Sequence, residues 1–176
     1  MKTDWIAVDW GTSNLRAWAL GDGTILDHAS SHEGMGTLSR DDYEPALLRL
    51  INGWLPRGKV TEVIACGMVG SRQGWVEAPY RAVPCTPLDH GELMRVPTRD
   101  ARLSLRIVPG LKQAAPADVM RGEETQIAGL GLQGTRLAVM PGTHSKWVRV
   151  KDGRISAFRS AMTGDAFAAL KDHTVL

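Results

Sequence analysis

The feature that most constrains this chain is a plan that occurs twice: an apolar strand, a Gly-Thr loop, and a second strand that carries a basic residue and a tryptophan. The first copy runs Ile6-Ala7-Val8-Asp9-Trp10-Gly11-Thr12-Ser13-Asn14-Leu15-Arg16-Ala17-Trp18. Ile6 and Val8 alternate with small or polar neighbours, as do Leu15, Ala17 and Ala19 beyond the loop. Gly11 supplies backbone freedom between them, so the stretch predicts a hairpin with a small-residue tip. The second copy runs Leu137-Ala138-Val139-Met140-Pro141-Gly142-Thr143-His144-Ser145-Lys146-Trp147-Val148-Arg149-Val150. Each continues into an Asp-Gly turn, Gly21-Asp22-Gly23 and Lys151-Asp152-Gly153, which is a strong hairpin signal. The loop glycines Gly11 and Gly142 lie 131 residues apart and the turn glycines Gly23 and Gly153 lie 130 apart, so one gap reconciles the copies. A repeat of this length predicts a duplicated domain, with two loops facing one another across a cleft.

The residue types at the first tip suit a phosphate tail. Backbone N–H groups of Gly11, Thr12 and Ser13 with two hydroxyls can face an anion, and Asp9 at the strand end can hold a hydrated Mg²⁺. A plain hairpin with a Gly-Thr turn would look the same at this level. The copies differ where chemistry would differ, because Met140 stands at the position of Asp9.

Composition narrows the classes. The 176 residues are 43% apolar, ordinary for a globular core, and the net charge of +2 comes from 21 basic and 19 acidic residues scattered along the chain. No basic stripe argues for nucleic acid. Cys66 and Cys85 lack metal-ligand spacing and read as free thiols suited to a reducing cytoplasm. No apolar run is long enough for a signal peptide or a membrane span, so the expectation is a cytoplasmic protein with no membrane partner.

In chain order, Ser30–Thr37 reads as a glycine-rich loop, either a flexible connection or a substrate-facing segment. Asp41–Leu55 has helical spacing with Ser39 or Asp41 as cap, and Val60–Cys66 is a short strand; three strands, a helix and a strand begin an α/β layer arrangement. Gly67-Met68-Val69-Gly70-Ser71-Arg72-Gln73-Gly74-Trp75 gathers glycine and polar side chains at a strand exit, where ligands of open α/β sheets collect. Arg72 can clamp a carboxylate, Ser71 and Gln73 can bond hydroxyls, and Trp75 can wall a pocket. A solvated loop arginine is the plainer alternative. Residues 77–97 read as a proline-rich excursion with one short helix near Leu88–Met94, and Leu103–Val108 as a strand. Ala117–Leu132 reads as a helix with Gly122 inside it, and Thr163 or Asp165 as the cap of a helix over Ala166–Lys171.

Four blocks together resemble the 2-dehydro-3-deoxygalactonokinase family, within the sugar kinase, hexokinase, Hsp70 and actin superfamily. They are Val8–Ser13, Gly67–Trp75, Arg121-Gly122-Glu123-Glu124-Thr125-Gln126 and Pro141–Trp147. The resemblance implies a ribonuclease-H-like, actin-like ATPase domain present twice. It places the first copy over residues 1–115 and an incomplete second over residues 116–176. It also implies ATP and Mg²⁺ as cofactors and a small-molecule sugar acid as substrate, and leaves a homo-oligomer open. Its site assignments make Glu123 the base that takes the proton from the attacking hydroxyl, with Glu124 second, and Asp9 the metal carboxylate. Gly11, Thr12 and Ser13, with Gly142, Thr143 and Ser145, would hold phosphates, and His144 would either touch phosphate or serve only the turn; Arg16 and Lys146 would neutralise developing charge or, as strand-borne bases often do, face solvent. Ser71, Arg72, Gln73 and Trp75 would meet the sugar acid. The rival expectation is a catalytically silent sugar-acid or nucleotide-binding remnant, or a kinase for another sugar.

Overall fold

The computed structural model describes residues 2–173 and is a mixed α/β chain. Its elements are β1 (Trp5–Trp10), β2 (Leu15–Gly21), β3 (Thr24–Ser31), α1 (Tyr43–Ile51), β4 (Thr61–Cys66), β5 (Arg81–Ala82), β6 (Met94–Val96) and β7 (Leu103–Ile107). There follow β8 (Leu111–Gln113), β9 (Asp118–Met120), α2 (Glu123–Gly129), β10 (Thr135–Met140), β11 (Ser145–Lys151), β12 (Arg154–Ala161) and α3 (Thr163–His173). Two compact units emerge. One holds the chain up to Pro79 together with His90–Pro109; the other holds Tyr80–Asp89 and the chain from Gly110 onward.

The first unit is a six-stranded sheet in the order β3-β2-β1-β4-β7-β6. Strand β1 pairs antiparallel with β2 and parallel with β4, so it sits in the middle of the sheet. Its alternation is what the sequence predicts: Ile6, Val8 and Trp10 point into the core and Trp5, Ala7 and Asp9 to the other face. Helix α1 covers the core face with Tyr43, Ala46, Leu47 and Ile51, a spacing that lines one side of a helix. Asp42 accepts hydrogen bonds from the N–H and hydroxyl of Ser39 and closes the turn ahead of α1. Glu44 on the first turn of α1 is buried and accepts the amides of Arg99 and Asp100, which fastens the helix to the loop before β7.

The second unit contains two three-stranded sheets, β10-β11-β12 and β5-β8-β9. Its core is Leu111, Met120, Ile127, Val148, Val150, Ile155 and Phe158, with Cys85 bridging to Ile155 through backbone hydrogen bonds. Neither Cys66 nor Cys85 is in a disulfide among the described residues.

The meanders β1-β2-β3 and β10-β11-β12 share their register to the residue. Asp9 pairs with Arg16 and Met140 with Lys146, so the second loop is one residue shorter, and this is the gap seen in the sequence. Both Asp-Gly turns have positive φ at both residues, 50° and 72° for Asp22-Gly23 and 48° and 74° for Asp152-Gly153, the geometry that matches strand twist. Each meander then has a register shift at the same place, between Ala19 and Leu20 and between Arg149 and Val150.

The sequence expectation fails between 117 and 132. Asp118–Met120 is a strand, paired antiparallel with β8 so that buried Leu111 faces buried Met120. Gly122, at φ 109°, turns the chain, and the helix is only Glu123–Gly129. Pairing with β8 overrides the local helical spacing, and Gly122 supplies the positive φ that the turn needs. The helix expected near Leu88–Met94 is likewise a single tight turn, His90–Glu92, before the edge strand β6.

Candidate functional site

The candidate residues fall into one group in each unit. In the first, β1 delivers Asp9 to its carboxyl end, where it pairs with Cys66 of β4 and with Arg16 of β2. The Arg16 guanidinium donates to Asp9 Oδ2 at 3.3 Å, and both side chains remain partly exposed. Beyond β4 the chain turns sharply at Gly67, φ 93°. A Cβ there would lie 2.7 Å from the Trp10 carbonyl and 3.4 Å from Asp9 Oδ1, so only glycine lets this segment close over the strand end that carries the carboxylate.

The loop between β1 and β2 spends one of its predicted donors internally, since the Gly11 amide donates to Asn14 O at 2.9 Å. That amide is therefore not available to an anion, a correction to the sequence expectation. Thr12 and Ser13 are exposed, and neither their amides nor their hydroxyls are hydrogen-bond donors among the described residues. Nor does Gly11 supply a special conformation: its φ is not positive, and a Cβ would meet only Asn14 O at 3.7 Å. Gly142 in the second loop is in the same position, with only His144 O at 3.7 Å.

The glycine-rich segment after β3 is not a loose connection. Met35 N donates to Gly11 O and Gly36 N to Thr12 O, each at 2.9 Å. A Cβ on Gly34 would come within 2.3 Å of the Ser13 carbonyl carbon and Thr12 O, so this glycine allows two backbones to touch. His32 Nδ1 lies 3.0 Å from Asn14 Oδ1 and ties the same two segments by side chains.

Of the residues expected to meet a sugar acid, Ser71 is buried, and Arg72 and Gln73 are exposed. The Arg72 carbonyl accepts from Arg40 Nη2 at 3.2 Å, which fixes the backbone and leaves the guanidinium outward. Trp75 stacks on Tyr43 with ring centroids 5.8 Å apart and meets Trp10 edge-on at 6.2 Å. It anchors the loop to the core of the first unit.

In the second unit the loop 141–145 is held by the start of α3. Gly164 and Asp165 both donate to Thr143 O at 3.1 Å, and a Cβ on Gly164 would lie 2.6 Å from Gly142 O. His144 Nε2 lies 2.7 Å from Asp165 Oδ2, and the Ser145 and Thr163 hydroxyls bond one another. His144 and Ser145 thus secure the loop; residues 141–144 are exposed and Ser145 is buried. Lys146 departs from expectation. Its side chain is buried, with Nζ donating to Val119 O at 3.0 Å and Ser160 Oγ at 2.5 Å. Its charge is spent inside the protein, not offered to a phosphate.

The turn before α2 carries the two carboxylates. Glu123 Oε2 accepts the Arg121 amide at 3.0 Å and is half-buried. Glu124 is fully buried, and both its oxygens accept the Gly122 amide at 2.9 Å. Burial pushes the Glu124 carboxyl up to about 7, against the pull of backbone hydrogen bonds and with a smaller upward push from Glu123. Arg121 lies over the Tyr80 ring at 4.2 Å. Of the two acids, Glu123 is the one partly open to solvent.

Sequence reasoning missed Gly34, Gly164 and the Lys146 network. The glycines had a signal: they too lie 130 apart, so carrying the repeat past the Asp-Gly turns finds both.

The 2-keto-3-deoxy-galactonokinase family model matches residues 9–176. This chain belongs to that family. A probable 2-dehydro-3-deoxygalactonokinase of Rhizobium meliloti is 41% identical over 97% of the chain and 57% of its own length. The 2-dehydro-3-deoxygalactonokinase of Escherichia coli is 37% identical over 100% of the chain and 59% of its own. The chain therefore spans less than two thirds of the curated relatives it matches. A crystal structure from Sinorhizobium meliloti, named for the same family, superposes with a TM-score of 0.87 at 40% identity, over 98% of this chain and 58% of that one. An Aquifex aeolicus Ppx/GppA phosphatase, 13% identical with a TM-score of 0.50 over 94% of this chain and 54% of its own, shares the fold alone.

Proposed function

We propose that this chain works as an ATP-dependent sugar-acid kinase, and that the acceptor is 2-dehydro-3-deoxy-D-galactonate in galactonate catabolism. The observation that carries the reading is the family match over residues 9–176, which takes in both loops, the Gly67–Trp75 segment and the Glu123–Glu124 turn. The repeated register of the two meanders supports a duplicated actin-like domain, and two cysteines without metal-ligand spacing suit a cytoplasmic enzyme.

The residue roles follow from what each group has free. Thr12 and Ser13 offer amides and hydroxyls to phosphate. At Gly11 and Gly142 nothing among the described residues requires glycine, which suits close approach of a phosphate to the backbone. Asp9 suits Mg²⁺: among the described residues no three His, Cys, Asp or Glu cluster, and Mg²⁺ is held by one or two carboxylates with substrate phosphates and water. Bound there, the ion would compensate charge on the phosphates. Such transfer is catalysed by positioning and charge compensation. The acceptor oxygen bonds the γ-phosphorus, the bond to the β-phosphate oxygen breaks, and the hydroxyl proton passes to Glu123. Arg72, with a free guanidinium beside Ser71 and Gln73, takes the carboxylate of the acid.

ADP release measured with ATP, Mg²⁺ and the 2-keto-3-deoxy acid tests this, with the neutral sugar galactose as comparison. Turnover with the acid and not with the sugar is expected. Calorimetric binding of the acid without ADP release would point instead to a silent binding module, and turnover of galactose would overturn the acceptor. Arg72→Lys keeps the charge and loses the planar fork. It should weaken acid binding roughly ten- to a hundred-fold, on the scale of one charge-assisted hydrogen bond, and leave ATP binding unchanged. Equal weakening of both ligands would remove Arg72 from the acceptor site.

A further inference from the structure

Lys146 sits one residue after the second loop, yet it is only 6% exposed, and an ammonium is withdrawn from water only where other groups take its hydrogen bonds. Those groups lie on two other strands. Nζ donates to Val119 O of β9 at 3.0 Å and to Ser160 Oγ of β12 at 2.5 Å. Ser160 is in turn locked to Asp118, its amide donating to Oδ2 and its hydroxyl to Oδ1, each at 2.7 Å. The hydroxyl thus stands between an ammonium and a carboxylate, a charge-assisted arrangement that strengthens both of its hydrogen bonds.

The tie matters because of what hangs on each end. β9 ends at Met120, and the next two amides, of Arg121 and Gly122, are the ones that hold the Glu123 and Glu124 carboxylates. At the other end Lys146 follows Ser145, whose hydroxyl is bonded to Thr163 at the start of α3. In the first meander the matching base, Arg16, is exposed and paired with Asp9, so the shared register does not by itself demand a buried cation.

We propose that Lys146, with Ser160 and Asp118, is a positioning residue that fixes the Glu123–Glu124 turn relative to the Gly142–Ser145 loop. It acts through Val119 and the turn, and does not touch phosphate. Its catalytic consequence rests on the kinase reading above; its geometric half does not.

The test separates the two. In Lys146→Met and in Ser160→Ala, backbone hydrogen exchange at Arg121 and Gly122 should speed up at least ten-fold, while the amides paired around the Asp152-Gly153 turn keep their rates. In the ADP-release assay kcat should fall about ten- to a hundred-fold with KM for ATP changed less than about three-fold. The double variant should be no worse than Lys146→Met alone, since both changes cut one tie. Unchanged exchange at Arg121 and Gly122 in a folded Lys146→Met would overturn the proposal, as would a rise in KM for ATP with kcat preserved. Should Lys146→Met not fold, Ser160→Ala decides alone, because it removes the relay and leaves the lysine in place. A wild-type chain without turnover, but with the exchange change intact, would sink the kinase reading and leave the tie standing.

Discussion

The two meanders share strand order, register and turns, and almost none of the same side-chain partners. Their turns, register shifts and tightly packed glycines coincide at a constant offset: Asp22-Gly23 with Asp152-Gly153, Ala19/Leu20 with Arg149/Val150, Gly34 with Gly164. At the position where β1 carries Asp9, β10 carries Met140, and the bases opposite them, Arg16 and Lys146, are exposed in one case and buried in the other. Even the side-chain tie across the loop is rebuilt. Asn14 reaches His32 in the first meander, whereas His144 reaches Asp165 in the second. The strand edges differ as well. β1 has β4 alongside it, while among the described residues β10 is an edge strand with Leu137 and Val139 exposed. The backbone plan therefore depends on a few positions where only glycine or a tight turn fits. Paired positions elsewhere are free to take up different chemistry.

The sharpest way to break this comparison is at its one carboxylate. Asp9→Ala should lower phosphotransfer by at least about 100-fold, the scale of losing a group that compensates charge at the reacting phosphate. Its exposed pair with Arg16 contributes at most ~1 kcal/mol, so thermal unfolding should hardly move. Met140→Ala at the matching position should keep turnover within a few-fold. Equal losses from the two would mean that the loops do not divide the chemistry between them.

The next largest effect concerns the turn that precedes the second meander. Glu124, raised to about 7 from 4.5 by burial, binds its proton more tightly folded than unfolded. Between those values the native state holds more protons, so stability falls as pH rises from about 4.5 to 7 and is flat above. The loss attributable to this one group is on the order of 3 kcal/mol. Glu124→Gln keeps one acceptor for the Gly122 amide and removes the charge, so its stability measured by urea unfolding should no longer fall across that window. An unaltered slope would mean that Glu124 is ionised without penalty.

How much of this was legible in the sequence follows from the physical reach of each signal. Alternation in Ile6–Trp10, the Asp-Gly turns and the helical spacing of Asp41–Leu55 are local; the strand and turns are where expected, and the helix is Tyr43–Ile51, inside the expected bounds with a tight turn at each end. Residues 117–121 could not be read that way, because their strand exists only by pairing with β8 and the helical spacing there is accidental. The site shows the same division. Asp9, Glu123 and the two loops were visible as motifs, but whether a given donor is free was not. Gly11 N–H and the Lys146 ammonium are consumed by Asn14 O and by Val119 and Ser160, contacts that sequence spacing does not encode.

Smaller effects come from the matched glycines. Gly34→Ala would press a methyl to 2.3 Å from backbone at Ser13 and Thr12, and Gly164→Ala to 2.6 Å from Gly142 O. Neither contact can be relieved by a side-chain rotation, so each should cost about 1–3 kcal/mol, the usual penalty for overpacking, with Gly34 the larger. Urea unfolding followed separately in each unit reads both. A cost at Gly34 alone would show that the second loop gives way where the first does not.

The smallest effect expected is at the rebuilt tie. His144 and Asp165 are 49% and 42% exposed, so solvent screens them, and a double-mutant cycle of His144→Ala with Asp165→Ala should give a coupling of at most ~1 kcal/mol. The Asn14–His32 contact should couple by no more than that. Because the glycines and backbone hydrogen bonds already hold both loops, either cycle should leave urea midpoints nearly unmoved. A coupling of several kcal/mol at His144 would mean that the second loop is held by its side chains and not by its backbone, and the likeness between the meanders would then stop at the strands.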